Sequence, residues 1–95
     1  MSGSEGDAVT DAKAALPSPE VGETRLDLRG LNCPLPVLRA RKALRQIEIG
    51  EALVLECTDP LTIVDVPHLA AETGNELAAQ EREGEVYRYR IVRRR

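Results

Sequence analysis

The sequence contains few of the residues that build metal sites and disulfide scaffolds. It has no Phe or Trp, one His and two Cys among 95 residues. Cys33 and Cys57 are far apart with no Cys-x-x-Cys pair, and His68 stands alone, which excludes a self-contained zinc site and a disulfide-rich secreted scaffold. We therefore expect no metal, and a reducing cytoplasm as the compartment.

Long apolar runs are also missing. No stretch approaches the ~20 residues that cross a bilayer, and the N-terminal residues lack the basic and apolar regions of a signal peptide. We expect a soluble cytoplasmic protein with no membrane partner. With 95 residues, 42% of them hydrophobic, the chain can form one small domain.

Charge is distributed unevenly along the chain. Residues 1–24 hold five acidic residues against Lys13, a balance of −4, while the rest carries +1, which together give the net charge of −3. The first segment is rich in Ser, Gly, Ala and Pro and shows no hydrophobic periodicity, so it cannot bury enough surface to offset ordering. We predict a disordered acidic tail over residues 1–23 and a folded domain over 24–95.

Within that domain the motif Cys33-Pro34-Leu35-Pro36 carries the chemistry. Proline favours the first position of a helix, so Cys33 should lie at or next to a helix N-cap. The unpaired N–H groups and the dipole there favour a thiolate, which is the nucleophilic form of cysteine. We predict Cys33 as the reactive atom, with burial in a Pro-rich turn as the alternative.

The flanking patterns predict the first three elements. Alternation from Arg25 to Arg29 predicts a strand ended by Gly30. An apolar stripe at helical spacing predicts a helix over about 35–46, and alternation predicts a strand over 52–57. Cys57 falls on the apolar side of that strand, so we interpret it as a core thiol.

The second half of the domain follows the same reasoning. Thr58-Asp59-Pro60 indicates a helix start, and Pro67 predicts a kink or two short helices before an end at Gly74. His68, beside this break, is expected to be exposed and structural. A strand from Leu77, a turn at Glu83-Gly84 and a last strand form a hairpin. The order β-α-β-α-β-β predicts an α+β fold, a two-layer sandwich with both helices on one face of a mixed four-stranded sheet.

Basic residues lie on the outer face of the first helix and on the last strand. The first set includes Arg39 and Lys42, and the second includes Arg88 and Arg90. Both sets are either solvated surface or a docking surface for an acidic protein or for RNA phosphate. The helix set has no interleaved aromatic residue, so base stacking is not expected there.

Residues 25–95 resemble the TusA family of small sulfur carriers, also called SirA-like. The resemblance rests on Leu26-Asp27-Leu28-x-Gly30-x-x-Cys33-Pro34-x-Pro36, Gly50-Glu51, Thr58-Asp59-Pro60, Asp65-x-Pro67 and Tyr87-x-Tyr89. It implies that Cys33 holds a persulfide sulfur, received from a cysteine desulfurase or a rhodanese-like donor and passed to an acceptor protein. The chain would act as a relay rather than as a stand-alone enzyme, with no cofactor beyond that sulfur.

The resemblance also implies roles for other residues. Gly30 would allow a tight turn before the cysteine, and Pro34 and Pro36 would fix the entry to the helix. Contacts with partner proteins are expected at four further residues, Arg39, Lys42, Asp59 and Asp65. In bacteria such a relay commonly ends in 2-thiolation of the tRNA wobble uridine. Leu35 stands where members assigned to that pathway often have a glutamate, so sulfur oxidation or molybdenum-cofactor supply remain open.

Two other functions fit parts of the sequence. The predicted fold resembles the C-terminal domain of translation initiation factor three, so the Arg-rich strands could hold RNA in a salt-sensitive way without Cys33. Alternatively, Cys33 could be a redox sensor that forms a sulfenic acid or pairs with Cys57. We favour the carrier, because only it uses the whole Cys-Pro-x-Pro motif. It predicts a monomer with no DNA partner and no direct contact with RNA.

Overall fold

The computed structural model describes residues 22–95. They form β1 (Glu23–Leu28), α1 (Leu35–Leu44), β2 (Ala52–Cys57), α2 (Thr62–Thr73), β3 (Glu76–Glu83) and β4 (Val86–Val92). This is the predicted order of elements. The tail predicted over residues 1–23 lies outside the described residues, apart from its last two positions, and Glu23 already belongs to β1.

The four strands form one mixed sheet in the order β1-β2-β4-β3. β1 and β2 are parallel, whereas β4 is antiparallel to both β2 and β3. Both helices lie on one face, so the predicted two-layer α+β fold is confirmed. Because β1 and β2 are parallel neighbours, the loops that follow them leave the same edge of the sheet.

The core lies between the sheet and the two helices. Leu53, Leu55 and Cys57 alternate along β2 and are fully buried, as period-two alternation requires. They belong to one cluster with residues of both helices, among them Ala40 and Val66. Burial of this apolar surface is the main source of the stability of the fold, because each Å² of apolar surface removed from water contributes about 25 cal/mol.

The opposite face of the sheet is covered by paired charges. Arg88 donates to Glu56 at 3.1 Å and to Glu81 at 2.7 Å, and Arg90 pairs with Glu23. Val54, which also lies on this face, is only 5% exposed, because it is flanked across the sheet by Arg25 and Arg90, whose aliphatic stems can cover it. The predicted polar face is thus a network of ion pairs.

The helices differ from the sequence prediction in three details. α1 ends at Leu44 rather than near residue 46. α2 begins at Thr62, a few residues after the predicted start. It also runs unbroken through Pro67, so the predicted division into two short helices is wrong. Buried residues on both sides of Pro67 hold the helix to the sheet, and their packing outweighs one missing hydrogen bond.

The end of α2 was predicted correctly. Gly74 adopts a left-handed conformation with φ of 75°, and the N–H of Asn75 donates to the carbonyl of Ala70 at 2.9 Å.

Among residues 22–95 no helix is both long and apolar enough to cross a membrane.

Candidate functional site: a thiol at the mouth of an interhelical groove

Cys33 lies in the loop between β1 and α1. Gly30 opens this loop with a φ of 83°, a conformation that favours glycine. Pro34 is the N-cap of α1, and Pro36 falls in the first turn and is buried. The Cys33–Pro34 peptide bond is cis. Cys33 is therefore next to the N-cap, as predicted, although Pro34 takes the capping position and not the first helical position.

The loop is held by hydrogen bonds from its backbone to the loop that follows β2. The N–H of Gly30 donates to Thr58 Oγ1 at 2.8 Å, and the N–H of Cys33 donates to Asp59 Oδ2 at 2.6 Å. These contacts exist because β1 and β2 are parallel neighbours whose ends adjoin. The position of the thiol is thus set by Thr58 and Asp59, which lie 28 and 26 positions further along the chain than the residues they bind.

Asp59 also organises the start of α2. Its Oδ1 accepts the N–H of Leu61 at 3.0 Å, and its carbonyl accepts the hydroxyl of Thr62 at 2.7 Å. The side chain is only 9% exposed, so little of it is left to contact a partner. Sequence reasoning placed Asp59 at a partner surface, whereas the structure makes it a positioning residue that joins the reactive loop to α2.

A groove of about 200 Å³ runs between α1 and α2, with Cys33 at one end. Cys33, Val37 and Arg41 line it from the α1 side, and Asp65 and His68 are among the residues that line it from α2. The predicted Cys33 and Asp65 therefore come together. Arg39 and Lys42 do not line the groove and are exposed on the outer surface of α1.

Sequence reasoning counted Arg41 among the basic residues on the outer face of the first helix, whereas the structure shows that it reaches across this groove. Its guanidinium donates to Glu72 of α2 at 2.8 Å, and this contact lowers the pKa of the Glu72 carboxyl. The signal for it was present in the sequence. Arg41 directly follows the buried Ala40, so on a helical wheel it lies at the margin of the apolar stripe, where it meets a neighbouring helix.

The expectation of a stabilised thiolate at Cys33 is wrong. A hydrogen bond to the Asp65 carboxylate raises the pKa of the thiol above its ordinary value, and partial desolvation and the charges of Asp65 and Asp59 act in the same direction. Two carboxylates near the sulfur oppose a negative charge there. At rest, Cys33 is therefore held as a thiol.

Cys57 is fully buried in the core, which confirms its predicted structural role. Burial, followed by the charge of Asp59, raises the pKa of its thiol to about 11. Both cysteines are free. Because Cys57 is fully buried, the structure disfavours the disulfide form of the redox-sensor alternative, whereas the form with a sulfenic acid on Cys33 stays a hypothesis.

The RNA-binding alternative loses its main support on the sheet. Arg88 and Arg90, the strand residues proposed to meet phosphate, already pair with carboxylates. Arg82 lies over the ring of Tyr87, with 5.1 Å from its guanidinium carbon to the ring centroid.

Within the described part of the chain, no three His, Cys, Asp or Glu side chains come close enough to hold a metal.

Exposed apolar side chains lie on the first turns of both helices, near the loop that holds Cys33. Leu35 and Leu38 of α1 are 45% and 54% exposed, and Leu61 and Val64 at the start of α2 are 56% and 68% exposed. Cys33 and Leu61 are close, because their backbone N–H groups share the carboxylate of Asp59. Such a patch around an accessible thiol is typical of a surface that contacts other proteins.

Comparisons with known proteins show the family to which the chain belongs. The family described as sulfurtransferase TusA matches residues 24–93. A sulfur carrier protein TusA from Allochromatium vinosum is 42% identical over 69 residues, which cover 73% of this chain and 91% of that protein. The crystal structure of a SirA-like protein from Desulfitobacterium hafniense superposes with a TM-score of 0.67 at 26% identity, covering 76% of this chain and 99% of that one. The chain belongs to the TusA family.

Proposed function

We propose that this protein is a sulfur carrier that holds sulfur as a persulfide on Cys33. The observation that carries the proposal is the position of this thiol: exposed, free of any disulfide, and fixed at the mouth of a groove rimmed by apolar residues. The TusA-family match and the sulfur carrier that is 42% identical support the same assignment. A relay of this kind needs no cofactor besides the carried sulfur.

Sulfur transfer to Cys33 is a thiol exchange. The Cys33 thiolate attacks the outer sulfur of a persulfide on the donor protein, the donor's S–S bond breaks, and the donor cysteine leaves as a thiolate. A new S–S bond forms on Cys33, so no electrons are gained or lost overall. Delivery repeats the exchange, with an acceptor thiolate attacking the outer sulfur and Cys33 leaving.

The carboxylate of Asp65 opposes formation of the Cys33 thiolate with which this exchange starts. Because the resting group is a thiol, its proton must be removed before attack. A cation brought into the groove by the donor would offset the charge of Asp65 and favour the thiolate. This makes Cys33 weakly reactive in the free protein and more reactive in the complex.

Two surfaces on α1 suit the partners of this carrier. The apolar rim, which includes Leu35 and Leu38, can be covered by a donor or acceptor that approaches the sulfur. Arg39 and Lys42 are exposed beside it and form no ion pair within residues 22–95, so they can attract an acidic surface. A cysteine desulfurase or a rhodanese-like protein is the proposed donor, and a cytoplasmic location is part of the proposal because the free thiol requires a reducing compartment.

Intact-protein mass spectrometry tests the carrier. The full chain is incubated with a cysteine desulfurase, pyridoxal phosphate and cysteine without reductant, beside Cys33→Ser and the matched variant Cys57→Ala. We expect wild type and Cys57→Ala to gain the mass of one sulfur atom and lose it with dithiothreitol, while Cys33→Ser gains nothing. Loading of Cys33→Ser, or no loading of wild type from either a desulfurase or a rhodanese donor, would overturn the proposal.

We place the protein in tRNA wobble-uridine 2-thiolation as the first pathway to test, on the basis of the family resemblance. Leu35 makes the surface beside Cys33 more apolar than in members with a glutamate there, so it should weaken transfer to their acceptor. The test expresses wild type and Leu35→Glu in bacteria that lack their own carrier and measures 2-thiouridine in tRNA. Restoration by wild type supports this pathway, and restoration by Leu35→Glu alone would show that Leu35 keeps the natural protein out of it. No restoration by proteins that still load sulfur would exclude the pathway and leave the carrier intact.

A further inference from the structure

A second pocket, of about 250 Å³, lies at the end of the helices away from Cys33. Four arginines line it, Arg41, Arg45, Arg93 and Arg95, and no carboxylate side chain is among its lining residues. Arg41 lines this pocket and also the groove that contains Cys33. The two cavities are therefore neighbours that share one guanidinium.

The charge in this pocket is not balanced as it is on the sheet. Arg88, Arg90 and Arg94 each pair with a glutamate. In the pocket only Arg41 has such a partner, Glu72. Arg93 donates to the carbonyl of Ile47 and to the backbone oxygen of Arg95. The guanidinium groups of Arg45 and Arg95 form no ion pair with any side chain in residues 22–95, so two cationic groups line this concave space without a partner.

The uncharged polar groups of the pocket are already hydrogen-bonded. The hydroxyl of Thr73 donates to the carbonyl of Leu69 at 2.8 Å, and Asn75 Oδ1 accepts the N–H of Arg94 at 2.7 Å and the N–H of Arg95 at 3.2 Å. The guanidinium groups of Arg45 and Arg95, in contrast, have no acceptor among the described residues. The free donors of this pocket are therefore cationic.

A simpler explanation accounts for only part of this cluster. α1 and α2 both end here, and the carbonyls at helix C-termini attract cations with about half an elementary charge per helix. Arg93 serves this purpose, since its guanidinium donates to the carbonyl of Ile47 just beyond α1. Two helix ends amount to about one negative charge. Arg93 already donates to the carbonyl of Ile47 and to the backbone oxygen of Arg95, so the positive surplus lies on Arg45 and Arg95.

The position of Arg95 is also restricted by its packing. Its stem lies over Gly74, where an added Cβ would come within 2.6 Å of Arg95 Cδ. The backbone of Arg95 is held by Asn75 at the same point. These two contacts keep the last side chain at the pocket rather than free in solution.

We infer that this four-arginine pocket binds a phosphate group, either free phosphate or a phosphate ester. Planar guanidinium groups match the oxygens of phosphate with paired hydrogen bonds, and several of them together supply the charge that a dianion needs. No aromatic residue lines the pocket, so it recognises the phosphate itself and not an attached base. The bound anion lies beside the groove that holds Cys33, and the site does not depend on that thiol.

Nuclear magnetic resonance titration of the full chain at constant ionic strength tests the inference. The probes are inorganic phosphate for the free anion, adenosine monophosphate for a phosphate ester, and adenosine as the control without phosphate. We expect saturable shifts at Arg45, Asn75 and Arg95 with one or both phosphate probes and none with adenosine. The phosphate probe that binds more tightly identifies the source of the anion.

Matched variants separate a defined site from general attraction to a basic surface. Arg45→Ala and Arg95→Ala should each weaken binding about tenfold or more, as loss of a charge-assisted hydrogen bond implies. Arg39→Ala removes an exposed arginine of the same helix outside the pocket and should change binding less than about twofold. Cys33→Ser should bind as wild type does. Absence of saturable binding, or equal losses in Arg39→Ala and Arg45→Ala, would refute the site.

Discussion

The two cysteines of this chain occupy comparable places in the fold but differ in their exposure to solvent. Cys57 is the last residue of β2, and Cys33 follows the end of the parallel neighbour β1. Cys57 is fully buried, whereas Cys33 is exposed. Both thiols have a raised pKa, Cys57 chiefly because of burial and Cys33 chiefly because of the hydrogen bond to Asp65.

The difference shows what makes one thiol available for chemistry. Cys57 remains within the sheet, where strand pairing fixes its side chain toward the helices. Before Cys33 the chain turns away from the sheet at Gly30, and two hydrogen bonds to the neighbouring loop then hold the backbone at the surface. The raised pKa of Cys57 comes chiefly from its burial, whereas that of Cys33 comes chiefly from the side chain of Asp65.

The largest expected effect is in the alkylation rates of the two thiols. In the native protein Cys33 should react with iodoacetamide at least about a thousandfold faster than Cys57, which becomes accessible only through unfolding. Peptide mass spectrometry after timed labelling measures both rates. The control is labelling in concentrated urea, where the two alkylation rates should become similar. Comparable rates in the native protein would contradict the assignment of Cys33 to the surface and of Cys57 to the core.

Alkaline pH should reveal the burial of Cys57 as a loss of stability. The pKa of its thiol rises from 9.0 to about 11 on folding, so the folded state retains the proton more strongly. The contribution is complete below pH 9.0 and is lost as pH rises through about 11, with a total of about 2–3 kcal/mol. Urea unfolding across this range should show a smaller decline in Cys57→Ala than in wild type. An equal decline in the free energy of unfolding of both proteins would contradict the assignment of this pH dependence to Cys57.

Asp59, which touches the loop of one cysteine and influences the pKa of both, can be tested by removal. Asp59→Ala leaves the N–H groups of Cys33 and Leu61 without their acceptor and should lower the free energy of unfolding by about 1–2 kcal/mol. The control is Asp27→Ala, which removes an exposed carboxylate paired only with Arg29 and should cost less than about 0.5 kcal/mol. Similar losses in both variants would show that Asp59 does not fix the loop.

The smallest expected effect concerns Asp65 and the reactivity of Cys33. Asp65→Asn removes the charge that holds the thiol proton, so the pKa of Cys33 should fall and its alkylation at neutral pH should become severalfold faster. Rates measured across pH give this pKa directly. Glu72→Gln changes another carboxylate of the same groove and should leave the profile unshifted. A profile that is unchanged in Asp65→Asn, or shifted equally in both variants, would mean that Asp65 does not control the thiol.

The elements of the fold could be predicted because each one follows a simple local pattern. Alternation along residues 52–57 and the apolar stripe of the first helix predict that Cys57 and Ala40 lie in the core, where the structure places them. The division of the helix at Pro67 was predicted wrongly, because the packing of Val66 and Leu69 against the sheet exceeds the local cost of the proline, and packing is not visible in a local pattern.

The chemistry at Cys33 was only half predictable for a related reason. The Cys-Pro-x-Pro motif placed the thiol next to a helix N-cap, and a single helix considered alone favours the thiolate. The carboxylates that reverse this preference belong to Asp59 and Asp65, which come from the start of the other helix. Local spacing could not show how close they lie, because that depends on the parallel pairing of β1 and β2.

The hydrogen bonds that hold the Cys33 loop use backbone donors from the loop and side-chain acceptors from outside it. The side chains of Leu35, Leu38 and Arg39 are exposed and take no part in these hydrogen bonds. Substitutions at these positions can therefore alter which proteins are recognised while the reactive atom stays in place. In a carrier built in this way, a few surface substitutions can change which protein receives the sulfur, and the transfer chemistry of the thiol stays the same.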